Sequence, residues 1–491
     1  MRRWRHWRAP ALGAICIGLL GRLIGGPLPL NYYDTAYALL WGRQIDHGQL
    51  PSYQTAGAST PHPLATAVGA VVALLGTQWS WRAIELIVLL AFGVLGVALY
   101  MLVKAVCASR TAGVIAALVL LASPPFLSNG LGGSGLADLP PAALVLAAAA
   151  LEARRPRRGD APLVLLALAG LLRPEAWGLS AIYWCWLAYA RPGWRALVRY
   201  VAIALAAPLL WLASDLIITG SATYSLSHTQ TGVQQELRNS SLAHAPGAAY
   251  RGLRALLGLP VLVVGAVGAV IALLRSRRAA AILLVLAALC AVDFLALGAL
   301  HLPLIKRYLL VFAAIVAAFF AYAVTVGRRE LRSLAVGRVP LLRTSALIAA
   351  IVIVGYAAIS DAHGLSHVRS EQHAAVTAES NLIALAPRAD RLLASCRPLI
   401  VPGIDLVPLA AYDFDLAPAK IERLHSGVPT DGLVLVPLTS PSARYFGLGA
   451  KRLRRTRNEL QGAGFAVIAS DESWQLLARC GRYAGLRAFS W

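Results

Sequence analysis

Apolar runs long enough to cross a lipid bilayer recur along most of the 491 residues, and they constrain the fold more than any other feature. A membrane-spanning helix needs about 20 predominantly apolar residues. Hydrophobic residues make up 58% of the chain and charged residues only 14%, a composition that excludes an ordinary soluble domain. The sequence therefore predicts a polytopic α-helical membrane protein.

The distribution of positive charge indicates how the chain is oriented in the membrane. The net charge is +22, and arginine is concentrated in bursts between apolar runs, such as "EARRPRRGD", "RSRR" and "GRRELRS". Such bursts are typical of the cytoplasmic loops of membrane proteins, which argues against nucleic acid as the partner. With the N-terminus in the cytoplasm, the first span, about 10–30, delivers residues 31–62 to the outer face.

The apolar stretch 63–76 decides the topology of everything after it, because it is short for a span. If it stays at the membrane surface or is re-entrant, every later arginine burst is cytoplasmic and residues 361–491 lie outside. If it crosses, the same bursts lie outside. The first arrangement is favoured and gives about 11 spans, with a range of 11–13. The later spans are predicted near 83–103, 111–127, 139–152, 161–172, 177–190, 199–218, 254–274, 279–300, 307–326 and 344–360.

The C-terminal region, 361–491, differs in character from the region 1–360. Short β-type runs, "RPLIVPG", "GLVLVPL" and "GFAVIAS", alternate with helical or turn-rich stretches. We therefore expect two domains: a transmembrane domain over 1–360 and a small extracytoplasmic α/β domain over 361–491. Outside the cytoplasm, Cys396 and Cys480 could form a disulfide.

The first outer loop, "NYYDTAYALLWGRQIDHGQLPSY", contains acidic and aromatic residues that do not belong in a lipid-facing helix. Asp34 begins an amphipathic segment and is expected at or near the N-terminus of a short helix on the membrane surface. Asp34 could simply cap that helix. The same topology places further polar clusters, including Asp138 and Lys306, on the outer face, and charged groups at span ends favour a site there.

These motifs resemble the GT-C superfamily of membrane glycosyltransferases. The matching features are Asp34 in the first outer loop, the turn "GQLPSY" and the segment "PHPL", followed in order by "GLADLPPAAL", "LLRPEAW", "ITGSATYSL" and "KRYLL". The order resembles bacterial members that use polyprenyl-phosphate sugars, related to an ArnT-like and protein-mannosyltransferase-like group. Two departures are an extra Ser52 before Tyr53, and His62 in place of one proline of the usual pair.

The resemblance implies transfer of a sugar from a polyprenyl-phosphate carrier, with inversion at the sugar carbon. The departing phosphate is a weak base and needs no general acid, so the chemistry requires a carboxylate to accept the acceptor's proton and cations to hold the phosphate. We expect Asp34 to be the base. The candidates for phosphate binding are Arg173, Lys306, Arg307 and Tyr308.

Each of these residues also has a structural interpretation. Lys306 and Arg307 could anchor a helix end by reaching the interface, and Tyr308 could belong to the interfacial aromatic belt. Arg173 could instead form an ion pair with Glu175 or with another acid on the outer face.

Further residues are expected to contact the acceptor or to support the residues that do. They are Asp138, His62, Glu175, Tyr53 and Tyr33. Asp138 precedes two prolines and could merely cap a helix. Catalysis is expected to be independent of metal, although a divalent cation at Asp34 and Asp138 stays an alternative.

The predicted function is therefore that of an integral glycosyltransferase of the bacterial plasma membrane. Its partners would be the lipid-linked donor, a glycan, lipid or protein acceptor, and the bilayer. The alternatives are a transporter or flippase of lipid-linked sugars, and a non-catalytic assembly protein. The sequence does not identify the transferred sugar, which could be mannose, arabinose, galactose or another.

Overall fold

A computed structural model of the chain describes residues 2–28, 33–55, 57–131, 135–235, 240–275, 277–327, 340–424, 428–438 and 450–480. The chain divides into two compact units. The first unit comprises Met1–Gly25, His62–Leu64 and Leu86–Val368, and the second comprises Gly26–Pro61, Ala65–Glu85 and Arg369–Trp491. The first outer loop is thus grouped with the C-terminal region, a grouping that the sequence did not predict.

Helices dominate the described part of the chain. In chain order they are α1 (Arg2–Gly25), α2 (Tyr33–Asp46), α3 (Pro63–Ala73), α4 (Thr77–Cys107), α5 (Arg110–Leu121), α6 (Pro124–Gly130), α7 (Gly135–Arg154), α8 (Asp160–Gly170), α9 (Ala176–Tyr189), α10 (Trp194–Thr219), α11 (Tyr224–Gln235), α12 (Ala245–Leu257), α13 (Leu259–Arg275), α14 (Arg277–Ala299), α15 (Leu310–Tyr322), α16 (Pro340–Leu393), α17 (Leu406–Asp413) and α18 (Ala450–Gly462). A 3₁₀ turn, Lys306–Leu309, precedes α15.

Within the described residues, six helical segments are long and apolar enough to cross a membrane: Arg8–Gly25, Thr77–Cys107, Gly135–Arg154, Trp194–Thr219, Ala280–Ala299 and Lys306–Thr325. The pair Ala245–Leu257 and Leu259–Leu274, bent by 113°, would make a seventh if it forms one span. The predicted spans near 111–127 and 161–172 coincide with α5 and α8, which are short for a complete crossing. The predicted span 344–360 falls within α16, where the side chains lie outside the described part. The count of about 11 spans stays a prediction.

Large apolar side chains are exposed on these long helices, which is expected where lipid is the solvent. On α10 they include Leu205, Leu209, Leu210, Leu216 and Ile217. The buried interior of the first unit is formed by close packing of helices such as α7, α8 and α15, whose buried side chains are mostly alanine, leucine and valine. The predicted class, a polytopic α-helical membrane protein with a small α/β domain, is confirmed.

The α2 helix crosses α3 at unusually close range. A Cβ atom added to Gly42 would lie 2.2 Å from the backbone nitrogen of Ala70, and one added to Gly69 would lie 2.1 Å from the carbonyl oxygen of Ala38. Any larger residue at either position would therefore push the two backbones apart. This contact fixes α2 against α3 within the second unit.

The predicted β-type runs of the C-terminal region form strands of one mixed sheet. The strands are β1 (Leu399–Val401), β2 (Ile421–Arg423), β3 (Gly432–Pro437), β4 (Ala466–Ser470) and β5 (Trp474–Arg479), in the order β2-β1-β3-β5-β4. The β1 strand pairs in parallel with β2 and β3, whereas β5 runs antiparallel to β3 and β4. Every residue of β3 is buried, as its continuous apolar sequence requires of a central strand covered on both faces.

A disulfide and a buried tryptophan hydrogen bond connect distant segments of this small domain. Cys396, just before β1, forms a disulfide with Cys480, just after β5, with their Cα atoms 5.5 Å apart. The indole nitrogen of Trp474 donates a hydrogen bond to the carbonyl oxygen of Ala378 on α16, at 2.6 Å. The disulfide that the sequence allowed is thus confirmed, and the C-terminal half of α16 belongs to the domain's core.

The turn at the end of α17 holds a buried carboxylate that interacts with the beginning of α4. The indole nitrogen of Trp81 donates to Oδ1 of Asp413 at 3.2 Å, while Oδ2 is shielded from solvent. Burial raises the pKa of Asp413 to about 7, although the Trp81 hydrogen bond and the Arg43 charge oppose this increase. The carboxyl group therefore takes up a proton on folding in mildly acidic solution.

We expect the stability of the second unit to decrease as the pH rises from about 4 to about 7. Across this range the folded state binds more protons at Asp413 than the unfolded state, so that its protonated form favours folding and its ionised form opposes it. The difference between the ordinary Asp value of 3.8 and about 7 corresponds to at most about 4 kcal/mol. Asp413→Asn should remove this dependence and raise the melting temperature at pH 8.

The measurement is the melting temperature of the purified protein as a function of pH. Asp431→Asn, on the exposed surface of the same domain, is the matched control and should retain the wild-type profile. Identical pH profiles for Asp413→Asn and wild type would contradict the assignment.

Candidate functional site

Asp34 lies in the first turn of α2 and is buried, with 7% of its surface exposed. The predicted short helix therefore exists, and an acidic residue in its first turn interacts favourably with the helix dipole. Burial of a carboxylate is uncommon unless it serves a specific interaction. The position is thus compatible both with the structural role and with the catalytic role that the sequence left open.

An aromatic row runs along one side of α2, beginning at the residue before Asp34. The rings of Tyr33 and Tyr37 are 5.1 Å apart, those of Tyr37 and Trp41 are 5.0 Å apart, and Trp41 meets Tyr53 from the following loop at 4.6 Å. Tyr33 also donates a hydrogen bond from its hydroxyl to the carbonyl oxygen of Gly57. Because residues at i and i+4 share a helix face, the sequence spacing of the first three rings produces this row.

Most rings of this aromatic row are buried. Tyr37, Trp41 and Tyr53 are each at most 2% exposed, and burial raises the pKa of the Tyr37 phenol above its ordinary value. The turn "GQLPSY" is closed by Gln44, whose side-chain oxygen accepts from the backbone nitrogen of Ser52 at 2.8 Å. Tyr33 and Tyr53, predicted to assist the acceptor site, also pack against other rings of α2.

A second group of predicted residues meets around Asp138 in the first unit. Asp138 lies in the first turn of α7, and its side chain is fully buried. It forms an ion pair with Arg173 from the turn after α8, and a second one with Arg307 of the 3₁₀ turn, whose Nη1 lies 3.4 Å from Oδ2. Three segments that are far apart in sequence thus bring one carboxylate and two guanidinium groups together.

Tyr308 and Glu175 complete this cluster. The Arg173 guanidinium lies 4.2 Å from the centre of the Tyr308 ring, and Nη1 of Arg173 lies 3.9 Å from Oε1 of Glu175. Arg173 also donates from Nε to the carbonyl oxygen of Ala137 at 2.7 Å. Tyr308 thus makes a cation–π contact with Arg173, and the main ion-pair partner of Arg173 is Asp138, the other acid on the predicted outer face, with Glu175 at longer range.

The two arginines differ in exposure, which bears on what each can do. The side chain of Arg173 is 11% exposed and that of Arg307 is 31% exposed. Lys306, beside Arg307, is exposed. Most N–H groups of Arg173 are directed to protein groups, whereas the charged groups of Arg307 and Lys306 are more accessible to solvent.

His62 belongs to the first unit and contacts α10. The residue is 4% exposed, and its ring meets that of Trp211 on α10 edge to face at 5.7 Å. Trp211 in turn donates to Oγ of Ser225 at 3.0 Å, and Ser225 donates from both its backbone nitrogen and its hydroxyl to Asp215 at 2.8 Å. Sequence analysis did not single out Trp211 or Asp215, although "ITGSATYSL", which contains Ser225, was part of the resemblance.

The predicted residues are therefore distributed over both units. Asp34, Tyr33 and Tyr53 belong to the second unit, whereas His62 and the Asp138 cluster belong to the first. Among the described residues, no group of three or more His, Cys, Asp or Glu side chains is arranged to hold a metal ion.

Comparison with solved structures relates this fold to known proteins. The apo crystal structure of ArnT from Cupriavidus metallidurans matches with a TM-score of 0.53 at 14% sequence identity, over 96% of this chain and 98% of that one. The Archaeoglobus fulgidus oligosaccharyltransferase tethered with an acceptor peptide containing the NVT sequon matches with a TM-score of 0.51 at 14% identity, over 96% of this chain and 74% of that one.

A third match is AglB from Archaeoglobus fulgidus in complex with an inhibitory peptide and a dolichol-phosphate. Its TM-score is 0.50 at 13% identity, over 82% of this chain and 63% of that one, so this chain spans less than two thirds of the archaeal protein's length. No protein-family model and no curated protein sequence matches the chain. ArnT and AglB are GT-C superfamily glycosyltransferases, and the predicted GT-C fold is thereby confirmed.

Proposed function

We propose that the protein is a membrane glycosyltransferase that moves a sugar from a polyprenyl-phosphate carrier to an extracytoplasmic acceptor, with inversion at the sugar carbon. The observation that carries this proposal is a buried carboxylate, Asp34, in the first turn of a short helix after the first span of a GT-C fold. Two structural neighbours support the proposed donor and acceptor classes, since one is described in complex with a dolichol-phosphate and another tethered with an acceptor peptide.

Asp34 is the proposed general base. In the reaction, its carboxylate accepts the proton of the acceptor hydroxyl while the acceptor oxygen bonds to the sugar carbon from the face opposite the phosphate. The bond between that carbon and the phosphate oxygen breaks with both electrons going to the phosphate. Because the phosphate is a stable leaving group, no second carboxylate has to donate a proton to it.

The Asp138 cluster is the proposed site for the donor phosphate. Asp138 holds two guanidinium groups in fixed positions, and such preorganised cations stabilise the charge that develops on a departing phosphate. Arg307 and Lys306 are the proposed phosphate ligands, with Arg173 and Tyr308 supporting them. His62, Glu175, Tyr33 and Tyr53 keep their proposed supporting roles.

The proposed location is the bacterial plasma membrane, with the N-terminus in the cytoplasm and the C-terminal region, 361–491, outside. The arginine bursts between apolar segments support this orientation. The disulfide between Cys396 and Cys480 adds support, since stable disulfides form in oxidising compartments.

The test is turnover of labelled polyprenyl-phosphate sugars by purified protein in proteoliposomes, using a panel of mannosyl, arabinosyl and galactosyl donors with glycan, lipid and peptide acceptors. We expect one donor to be consumed with stoichiometric release of polyprenyl phosphate. Movement of intact donor across the bilayer without release of the carrier phosphate would instead establish a flippase and overturn the proposal.

A further inference from the structure

Arg43, near the C-terminal end of α2, caps another helix from a distant part of the chain. Its Nη1 donates to the carbonyl oxygen of Tyr412 at 2.8 Å, and its Nη2 donates to that of Ala411 at 3.1 Å. Both carbonyls lie in the last turn of α17, where carbonyl groups lack partners inside the helix and the dipole is negative; that of Ala411 also accepts from the backbone nitrogen of Leu416 at 2.9 Å. The guanidinium group of Arg43 both donates hydrogen bonds to these carbonyls and places a positive charge at the negative end of the helix dipole.

Two further contacts hold the Arg43 side chain. Its guanidinium carbon lies 4.3 Å from the centre of the Tyr412 ring, and Nη2 lies 3.4 Å from Oδ1 of Asp415. The Asp415 side chain is 78% exposed, so this ion pair contributes little. The side chain of Arg43 is only 16% exposed, and therefore the carbonyl hydrogen bonds and the cation–π contact dominate.

The same turn of α17 also holds the beginning of α4. The indole of Trp81 donates to Asp413 and meets the Tyr412 ring edge to face at 5.6 Å. The segment Ala411–Asp415 thus contacts both α2 and the first turns of α4. We call this set of contacts the α17 clamp.

Within α2, Arg43 and Asp34 are rigidly connected. They are nine residues apart, which is about 13 Å along a helix. The aromatic row runs along α2 from Tyr33 to Trp41, and the crossing with α3 contacts α2 between Ala38 and Gly42. The α17 clamp is the contact at the C-terminal end, so loss of the clamp leaves that end held only by the neighbouring crossing with α3, and a tilt of α2 about this crossing would displace Asp34.

We infer that Arg43 is a positioning residue, which couples the C-terminal α/β domain to the helix that carries the base. Its catalytic consequence rests on the proposed role of Asp34. Arg43 itself is not a substrate ligand, because both of its Nη groups are directed to α17 and its side chain is largely buried. The α/β domain thereby acquires a function in the reaction without contributing a reacting group.

The test combines hydrogen exchange with kinetics for Arg43→Gln and Arg43→Lys. In Arg43→Gln, we expect amide exchange in residues 38–46 to accelerate at least about tenfold, because the helix opens locally without the clamp. The kcat should fall about 10- to 100-fold while the KM for the donor changes by less than about twofold, the pattern of a misplaced catalytic group. Arg43→Lys should recover part of both effects. Arg455→Gln, an exposed arginine on α18, is the matched control.

Each outcome decides a different point. If the amides of α2 exchanged at the same rate in Arg43→Gln as in wild type, the clamp would not be what holds this helix. An intact Cys396–Cys480 disulfide serves as the check that the variant is folded. Faster exchange with unchanged kcat, or an increased donor KM with unchanged kcat, would overturn the positioning role. If wild-type protein transfers no sugar from any donor, the proposed function fails, whereas accelerated exchange in Arg43→Gln would still support the clamp.

Discussion

Asp34→Asn is expected to lower the rate of sugar transfer by about 1000-fold, the range of a lost general base. The substitution preserves the size of the side chain and its packing in the buried first turn of α2, but the amide cannot accept a proton. The donor should still bind with nearly unchanged affinity, because the proposed phosphate ligands lie on other segments. The measurement is a single-turnover assay with a labelled polyprenyl-phosphate sugar, together with donor binding under the same conditions.

Asp46→Asn is the matched control for this substitution. Asp46 lies at the other end of the same helix and is exposed, so its replacement should leave the rate within about twofold of wild type. If Asp34→Asn consumed the donor as fast as wild type, Asp34 would not be the base. If the variant lost donor binding to the same extent as turnover, the carboxylate would act in binding instead.

Arg173→Gln is expected to destabilise the first unit by about 3–5 kcal/mol, because it leaves the fully buried Asp138 without its main partner. The remaining pair with Arg307, at 3.4 Å, compensates only in part. The substitution also removes the hydrogen bond to Ala137 and the cation–π contact with Tyr308. A decrease of about 10 °C in the apparent melting temperature in detergent is expected.

Arg307→Gln separates stability from ligand binding at this cluster. Arg307 is more exposed than Arg173, and its loss leaves the Arg173–Asp138 pair intact, so the expected destabilisation is about 1 kcal/mol. The KM for the donor should instead rise about tenfold, because the substitution removes a proposed charged ligand of the phosphate.

The double variant Asp138→Asn with Arg173→Gln should be more stable than Arg173→Gln alone, since no unpaired charge remains buried. Additive losses would contradict the pairing.

The elements that local sequence patterns determine were largely predictable. The predicted β-type runs became β1, β3 and β4, and the predicted surface helix begins at Tyr33, one residue before Asp34. The short apolar stretch 63–76 became α3, which ends at Ala73. In each case the information lies within a few residues, in apolar periodicity or in residue type.

Contacts between distant segments were not predictable in the same way. The sequence left the ion-pair partner of Arg173 open between Glu175 and another acid on the outer face, and it is the fold that brings Asp138 from another helix to Arg173. The cap that Arg43 provides for α17, and the grouping of the first outer loop with the C-terminal region, depend on how helices pack. Neither periodicity nor a local motif encodes such a contact.

The distance in sequence between Arg43 and α17 has a consequence for biosynthesis. The hydrogen bond from Arg43 to Tyr412 joins residues 369 positions apart. At translation rates of about 5–20 residues per second, α2 emerges roughly 20 to 70 seconds before its cap exists. In a chain that stops short of α17, α2 would be held only by the aromatic row and by the Gly42–Gly69 crossing, so the C-terminal end of α2 acquires its last support only when synthesis has passed α17.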